Sequence, residues 1–202
     1  MDQADITILL DSFKAKQDRT IVIVDYGNVE KWKRSLNWFI GVKELGQLVK
    51  SFSQGKKELR RFYYGSDYGK KESSKTLVEF SRVILEKAEM NRFEVVTKKV
   101  KYIHDRLSES GFAKKCDFDV EMTVDLIKFR KFYDNIILFS GDGDLMYAIK
   151  YLHDEYAKNC LVFGVRGHLG REVFDAQRNG FVTDIVFTED FEYRLNKNRF
   201  FR

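Results

Sequence analysis

The sequence predicts an α/β protein, in which a parallel sheet of about five or six strands carries helices on both faces. Short continuous apolar runs, such as 21–24 and 136–139, are typical of strands buried on both faces of a sheet. These runs alternate with longer segments in which apolar residues recur every three or four positions, the spacing of an amphipathic helix. Strands that alternate with helices pair in parallel through right-handed crossovers, which cover both faces of the sheet.

The predicted elements follow one another along the chain. Apolar runs predict the strands, helical spacing predicts the helices, and the lysines around Gly111 predict a basic loop. In order, the elements are a strand at 21–24, a helix at 42–52, a strand at 59–64, a helix from 77 to about 91, a strand at 93–97, the basic loop at 98–115, a helix from about 117, a strand at 136–139, a helix at 145–157, a strand at 160–165, a short helix at 172–178 and a strand at 182–187.

Two segments lie outside this alternation. Residues 1–19 have the apolar spacing of a helical extension, and residues 189–202 form a tail that mixes aromatic with basic residues. We expect both to dock onto the central domain, 20–188, or onto a second subunit, which would allow a homo-oligomer. Contact with nucleic acid is the alternative for both segments.

Composition narrows the class of protein. A chain of 202 residues, 44% of them hydrophobic, has enough material for one domain with a full core. Its 36 Lys and Arg against 31 Asp and Glu give a net charge of +5, which mildly favours a polyanionic partner. The two cysteines lie far apart, so we expect neither a disulfide framework nor a Cys-type zinc site. No apolar run reaches the roughly 20 residues of a membrane helix, and a cytoplasmic protein is expected.

Acidic residues follow two of the predicted buried strands. The first strand ends at Asp25, and the strand at 136–139 is followed by Asp142 and Asp144. In an open parallel sheet, functional groups collect beyond the carboxyl ends of strands where the strand order reverses. If these two strands are neighbours, the three carboxylates meet in one crevice. A turn role for Asp25 and a helix-capping role for Asp144 are the structural alternatives.

Crowded carboxylates of this kind predict a metal site. Like charges held close together repel one another unless a cation offsets them. Oxygen ligands without His or Cys suit Mg²⁺ or Mn²⁺, which also bind phosphate oxygens.

The helix that begins near 117 supplies further acids. Asp119 can face the crevice from the start of this helix, whereas Asp117 is expected to be solvated. Asp125 is six positions further on, among apolar residues, and needs either a buried partner or a place at the site.

Three blocks of sequence occur in a fixed order: Val-Asp-Tyr-Gly-Asn at 24–28, the acidic segment 115–125, and Phe-Ser-Gly-Asp-Gly-Asp-Leu at 139–145. Together they resemble the NYN domain family of PIN-like nucleases, in particular its LabA-like branch. The resemblance implies a Rossmann-like sheet and metal-dependent hydrolysis of phosphodiester bonds, mostly in RNA. It implies catalytic and metal-binding roles for four residues, Asp25, Asp119, Asp142 and Asp144. Supporting roles fall to Asn28, Ser140, Asp117 and Asp125, of which the last two are alternatives to Asp119.

Other readings of the same residues remain open. Four lysines could hold substrate phosphates or could simply be solvated: Lys70, Lys71, Lys114 and Lys115. A catalytically inactive PIN-like module that binds nucleic acid or a protein is the alternative function. Haloacid-dehalogenase-like phosphatases and Toprim domains fit less well, because position 27 is Gly instead of a second Asp and the first strand ends in Asp instead of Glu.

Overall fold

The computed structural model describes residues 19–53, 57–70, 74–106 and 111–195, together with residues 4, 5, 7–9 and 11. The elements are β1 (Arg19–Asp25), α1 (Tyr26–Val29), α2 (Lys33–Leu36), α3 (Val42–Ser53), β2 (Lys57–Ser66), α4 (Glu79–Met90), β3 (Glu94–Lys99), β4 (Lys101–His104), β5 (Phe112–Lys115), α5 (Asp119–Phe129), β6 (Asn135–Phe139), α6 (Met146–Tyr156), β7 (Asn159–Gly164), α7 (Arg171–Arg178), β8 (Asp184–Phe187) and α8 (Glu192–Leu195). Single turns of 3₁₀ helix at Glu30–Trp32 and Thr188–Phe191 complete them.

The main sheet confirms the predicted fold class. In the part of the chain that the structure describes, six strands pair in the order β3-β2-β1-β6-β7-β8, and every pairing between them is parallel. The sequence order of the strands reverses between β1 and β6, so the two strands predicted to be neighbours do lie side by side.

Helices cover both faces of this sheet. In β1, Val22 and Val24 pack on one face in a core that includes α3 and α4. Ile21 and Ile23 point to the opposite face, where α5, α6 and α7 pack. All four side chains are fully buried, which explains why β1 is a continuous apolar run and not an alternating one.

The basic loop predicted at 98–115 is wrong at 98–99, 101–104 and 112–115, where the chain forms strands. β3 extends to Lys99, and β4 and β5 form a separate antiparallel pair in which Tyr102 lies opposite Lys114. The rings of Tyr102 and Phe112 meet edge to face with centroids 6.5 Å apart. Three lysines among the eight residues of these two short strands obscured this pairing in the sequence.

Most of the N-terminal extension and residues 196–202 of the C-terminal tail lie outside the described residues, as does Lys71. The described part of the tail docks onto the domain, since Phe191 and Leu195 are buried in the core beside α3 and α4. Docking of the undescribed parts and a homo-oligomer stay predictions. No helix within the described ranges has the length and apolar composition needed to cross a membrane.

Candidate metal centre

The candidate site lies where β1 and β6 end side by side. Val24 is paired with Phe139 in the parallel register, so the next residues, Asp25 and Ser140, emerge at the same edge of the sheet. This is the point where the strand order reverses, which in open α/β sheets opens a crevice between the outgoing segments.

Three carboxylates meet at this edge, and we call them the acidic cluster: Asp119, Asp142 and Asp144. One ligand oxygen from each lies within 4.8 Å of the others. Asp142 and Asp144 come from the segment after β6, and Asp119 is the first residue of α5. Asp119 and Asp142 are partly buried, whereas Asp144 is exposed. The cluster thus joins two segments that are distant in sequence, as the predicted crevice requires.

Asp25 lies beside the acidic cluster at the end of β1. Its Oδ2 atom accepts a hydrogen bond from Ser140 Oγ at 3.4 Å, and its Oδ1 atom accepts one from the Asn28 backbone N–H at 3.2 Å. Burial raises the pKa of Asp25 from 3.8 to about 6; the Asn28 N–H works against this rise, and the charges of Asp119 and Asp142 add to it. The carboxylate is therefore held in a place that disfavours its own negative charge.

The pKa of a carboxyl group within the acidic cluster is raised as well. Burial raises the pKa of Asp119, and the neighbouring charges of Asp142, Asp144 and Asp117 raise it further. A divalent cation between these oxygens would replace mutual repulsion by attraction. The donor set consists of carboxylate oxygens alone, which fits Mg²⁺ or Mn²⁺ better than a soft or nitrogen-preferring metal.

Ser140 and Asn28 tie the two strand ends together. Ser140 Oγ accepts a hydrogen bond from the Asp142 N–H at 3.2 Å. Asn28 Oδ1 accepts one from the Gly141 N–H at 3.0 Å and a second from the indole Nε1–H of Trp32 at 2.9 Å. The predicted supporting residues thus fix the backbone that carries the acids.

The glycines of the segment after β6 serve packing. A Cβ atom on Gly141 would lie 2.1 Å from the carbonyl oxygen of His168, and one on Gly143 would lie 2.5 Å from Glu172 Oε2. The Gly170 N–H also donates to the Gly141 carbonyl at 2.8 Å. Because a backbone atom blocks position 141, any larger residue there would displace the acidic loop.

The structural alternative for Asp144 finds no support in the geometry. The N-cap of α6 is Leu145, which makes no side-chain capping bond. The Asp144 N–H donates to Asp142 Oδ1 at 3.1 Å. The Asp144 carboxylate does not cap α6 and lies in the acidic cluster.

Asp125 lies apart from the acidic cluster and has a buried partner, one of the two environments expected for it. Its Oδ2 atom accepts hydrogen bonds from Tyr63 Oη at 2.7 Å and from Arg61 Nη2 at 2.6 Å. This network joins α5 to β2, so Asp125 has a structural role in the sheet–helix interface. Asp117 is exposed and lines the cleft close to Asp119.

The predicted phosphate-binding lysines have different surroundings. Lys114 lines the cleft, but its ammonium group pairs with Asp67 Oδ2 at 2.7 Å. Asp67 also accepts a 2.7 Å hydrogen bond from Tyr102 Oη, so the pair anchors β4 and β5 to the end of β2. Lys70 Nζ lies 4.7 Å from the centre of the Phe112 ring, and Lys115 is exposed at the end of β5.

An open cleft of about 640 Å³ extends from the acidic cluster. Asp25, Asp119 and Asp142 lie at one part of it, and a basic residue that the sequence analysis missed, Lys31, also lines it. The charge of Lys31 acts to lower the pKa of Asp25. Lys31 could have been identified from the sequence by its position, because it lies only six residues after Asp25 in the turns that leave the end of β1.

We expect the replacement of Asp25 by Asn to stabilise the metal-free protein at neutral pH by about 1–3 kcal/mol. Asp25 binds its proton more tightly in the folded chain, so it favours folding below pH 3.8, and this contribution is lost as the pH rises through about 6. Asn keeps an acceptor for the Asn28 N–H and carries no charge.

Urea unfolding in EDTA at about pH 4 and about pH 7.5 measures this difference between the two proteins. The variant should gain its advantage only at the higher pH, and saturating Mn²⁺ should reverse it. An equal difference at both pH values would refute the prediction.

Comparison with known proteins gives matches to a family, a curated relative and a solved structure. The model of the family described as NYN domain matches residues 19–184. The low amplitude and bright protein LabA of Synechococcus elongatus is 32% identical over 84 residues, and the match spans 42% of this chain and 45% of LabA, less than half of either. A protein of unknown function from Vibrio parahaemolyticus, known from a crystal structure, has a TM-score of 0.61 at 22% identity, and the match covers 85% of this chain and 93% of that chain. This last similarity shows a shared fold.

Proposed function

Because the chain belongs to the NYN domain family of PIN-like nucleases, we propose that it is a ribonuclease that hydrolyses phosphodiester bonds with the help of Mg²⁺ or Mn²⁺. The observation that carries this proposal is the meeting of three carboxylates within 4.8 Å at the strand-order reversal. The family binds nucleic acid, and the net charge of +5 is compatible with a polyanionic substrate. Residues 20–188 form the nuclease domain in this proposal, and a cytoplasmic location is part of it.

The four carboxylates would divide the work of the site. Asp119, Asp142 and Asp144 would hold the ion, with Asp25 beside them as a further ligand or as an acceptor for an ion-bound water. A divalent ion bound there supplies an activated water and offsets negative charge on the departing oxygen. Ser140 and Asn28 would keep the acids in place through the hydrogen bonds that they make to Asp25, Asp142 and Gly141.

The raised pKa of Asp25 bears on this chemistry. In the metal-free protein, a pKa of about 6 leaves a fraction of Asp25 protonated near neutral pH. Binding of a cation favours the carboxylate form, so uptake of the ion should release protons. The proton count would show whether Asp25 takes part.

The test of this proposal is cleavage of a labelled single-stranded RNA by the full chain with Mn²⁺, with Mg²⁺ and with EDTA. We expect products only when a divalent ion is present. Calorimetric titration with Mn²⁺ in two buffers of different ionisation enthalpy measures both ion binding and proton release. Absence of Mn²⁺ binding together with absence of cleavage would overturn the proposal, whereas RNA binding without cleavage would favour the inactive binding module.

A further inference from the structure

The cleft beside the acidic cluster has a basic wall made of three residues, Lys31, Lys33 and Arg34. They come from the helical turns that follow β1, six to nine positions after Asp25. All three side chains are exposed, and all three line the same cleft as Asp25, Asp119 and Asp142. We call them the cationic wall. The lining of the cleft therefore contains both acidic and basic side chains.

The cationic wall differs from the other basic groups near the cleft in its lack of partners. Lys98 pairs with Glu121 at 2.7 Å, and Lys114 pairs with Asp67 at the same distance. Across the residues that the structure describes, by contrast, no side chain forms a hydrogen bond or an ion pair with Lys31, Lys33 or Arg34. Three cations within four positions of one another, without a hydrogen bond or ion pair to any other described side chain, favour an external anion.

We propose that the cationic wall binds the phosphates of a single-stranded RNA next to the bond that lies at the acidic cluster. This inference rests on the proposed ribonuclease function and adds the residues that select and hold the substrate. It also changes the sequence-based expectation, because Lys114 is engaged by Asp67 and the wall supplies cations without partners. Each phosphate contact releases counterions from the nucleic acid, so binding should depend strongly on salt.

A single strand is favoured over a duplex by an aromatic residue in the same cleft. Phe80, in the first turn of α4, is 52% exposed and lines the cleft together with the cationic wall. A large apolar ring left open to solvent beside cations is a stacking surface for a nucleobase. In a duplex, the bases are stacked on one another and their faces are not accessible, so only an unpaired strand can use Phe80.

The first test removes the charge of the wall. The triple variant Lys31→Ala/Lys33→Ala/Arg34→Ala should bind a fluorescent single-stranded RNA at least about 10-fold more weakly, and its plot of log affinity against log salt should be shallower by about 2. The matched control, Lys43→Ala/Lys50→Ala/Lys87→Ala, removes three exposed lysines on α3 and α4 that do not line the cleft. Fluorescence anisotropy across a salt series measures both quantities. Each protein also carries Asp142→Asn so that the RNA stays intact.

The outcomes separate this inference from the proposed function. Equal loss of affinity in both triple variants, or no loss in either, would refute RNA binding by the cationic wall. Failure of the protein without the triple substitution to bind the RNA would refute it as well. Mn²⁺ binding by the triple variant without Asp142→Asn should stay unchanged, because the wall contributes no ligand. A protein that binds RNA through the wall and never cleaves it would refute the ribonuclease proposal alone.

The second test concerns the strand type. Phe80→Leu keeps an apolar side chain and loses the aromatic face, so affinity for single-stranded RNA should fall roughly 10-fold. Affinity for a duplex of the same length should be weak from the start and should not change. Phe132→Leu, at another exposed phenylalanine outside the cleft, is the control. Tighter binding of the duplex than of the single strand would overturn the preference that we infer.

Discussion

If the proposed function holds, replacing Asp142 by Asn should lower the rate of metal-dependent RNA cleavage by about 1,000-fold, because the loss of one negatively charged ligand would remove several kcal/mol of charge stabilisation. Asp142 lies centrally in the site: its carboxylate is part of the acidic cluster, and its N–H donates to Ser140. Asn retains the oxygen that accepts the Asp144 N–H, so the loop should keep its shape. Single-turnover cleavage with saturating Mn²⁺ measures the effect, and calorimetry should show weaker Mn²⁺ binding.

Asp117→Asn is the matched control for this loss. Asp117 is an exposed carboxylate that lines the same cleft two positions before Asp119, and it raises the pKa of Asp119 through its charge. Its replacement should change the rate only a few-fold, while Asp119→Asn should behave as Asp142→Asn does. If Asp117→Asn were as damaging as Asp142→Asn and Asp119→Asn were mild, the helix acid would be assigned to the wrong residue.

Replacing Asp125 by Ala should destabilise the fold by about 3 kcal/mol. The side chains of Asp125 and Arg61 are only 12% and 15% exposed, and Tyr63 Oη also donates to Asp125. Removal of this carboxylate leaves a nearly buried guanidinium and a buried hydroxyl without their acceptor. Unfolding by urea measures the change, and the remaining folded protein should still bind Mn²⁺.

Glu94 provides the control for Asp125, since it is the other carboxylate that pairs with Arg61. Its Oε2 atom lies 2.7 Å from Arg61 Nη1, but its side chain is 59% exposed. Water can replace this partner, so Glu94→Ala should cost less than about 1 kcal/mol. Equal costs for the two variants would contradict the structural role of Asp125, and a loss of Mn²⁺ binding in Asp125→Ala would place this residue at the metal centre.

The fold could be predicted because both faces of the sheet are covered. Strands such as β1 and β6 are apolar at every position and are interrupted by amphipathic helices, and few architectures accommodate that pattern. The pairing of β4 and β5 was missed because the strands are short and contain three lysines, so that local composition does not distinguish them from a loop.

The site was partly predictable for a similar reason. Asp25 ends β1, and Asp142 and Asp144 lie within five positions of the end of β6, so their convergence required only that β1 and β6 be neighbours. Asp119 comes from a helix, and its choice over Asp125 depends on contacts between α5 and β2 that are 64 residues apart in the chain. The pairing of Lys114 with Asp67 is equally long-range and has no local signal.

The side-chain oxygen of Asn28 connects the turn that carries the cationic wall with the loop that carries Asp142. Asn28 Oδ1 accepts from Gly141, which precedes Asp142, and from Trp32, which lies between Lys31 and Lys33 and is fully buried. The turn that carries the cationic wall and the loop that carries Asp142 are thus fastened to one atom. If RNA binds at the cationic wall as proposed, the phosphates held there and the acidic cluster would keep a fixed separation along the strand.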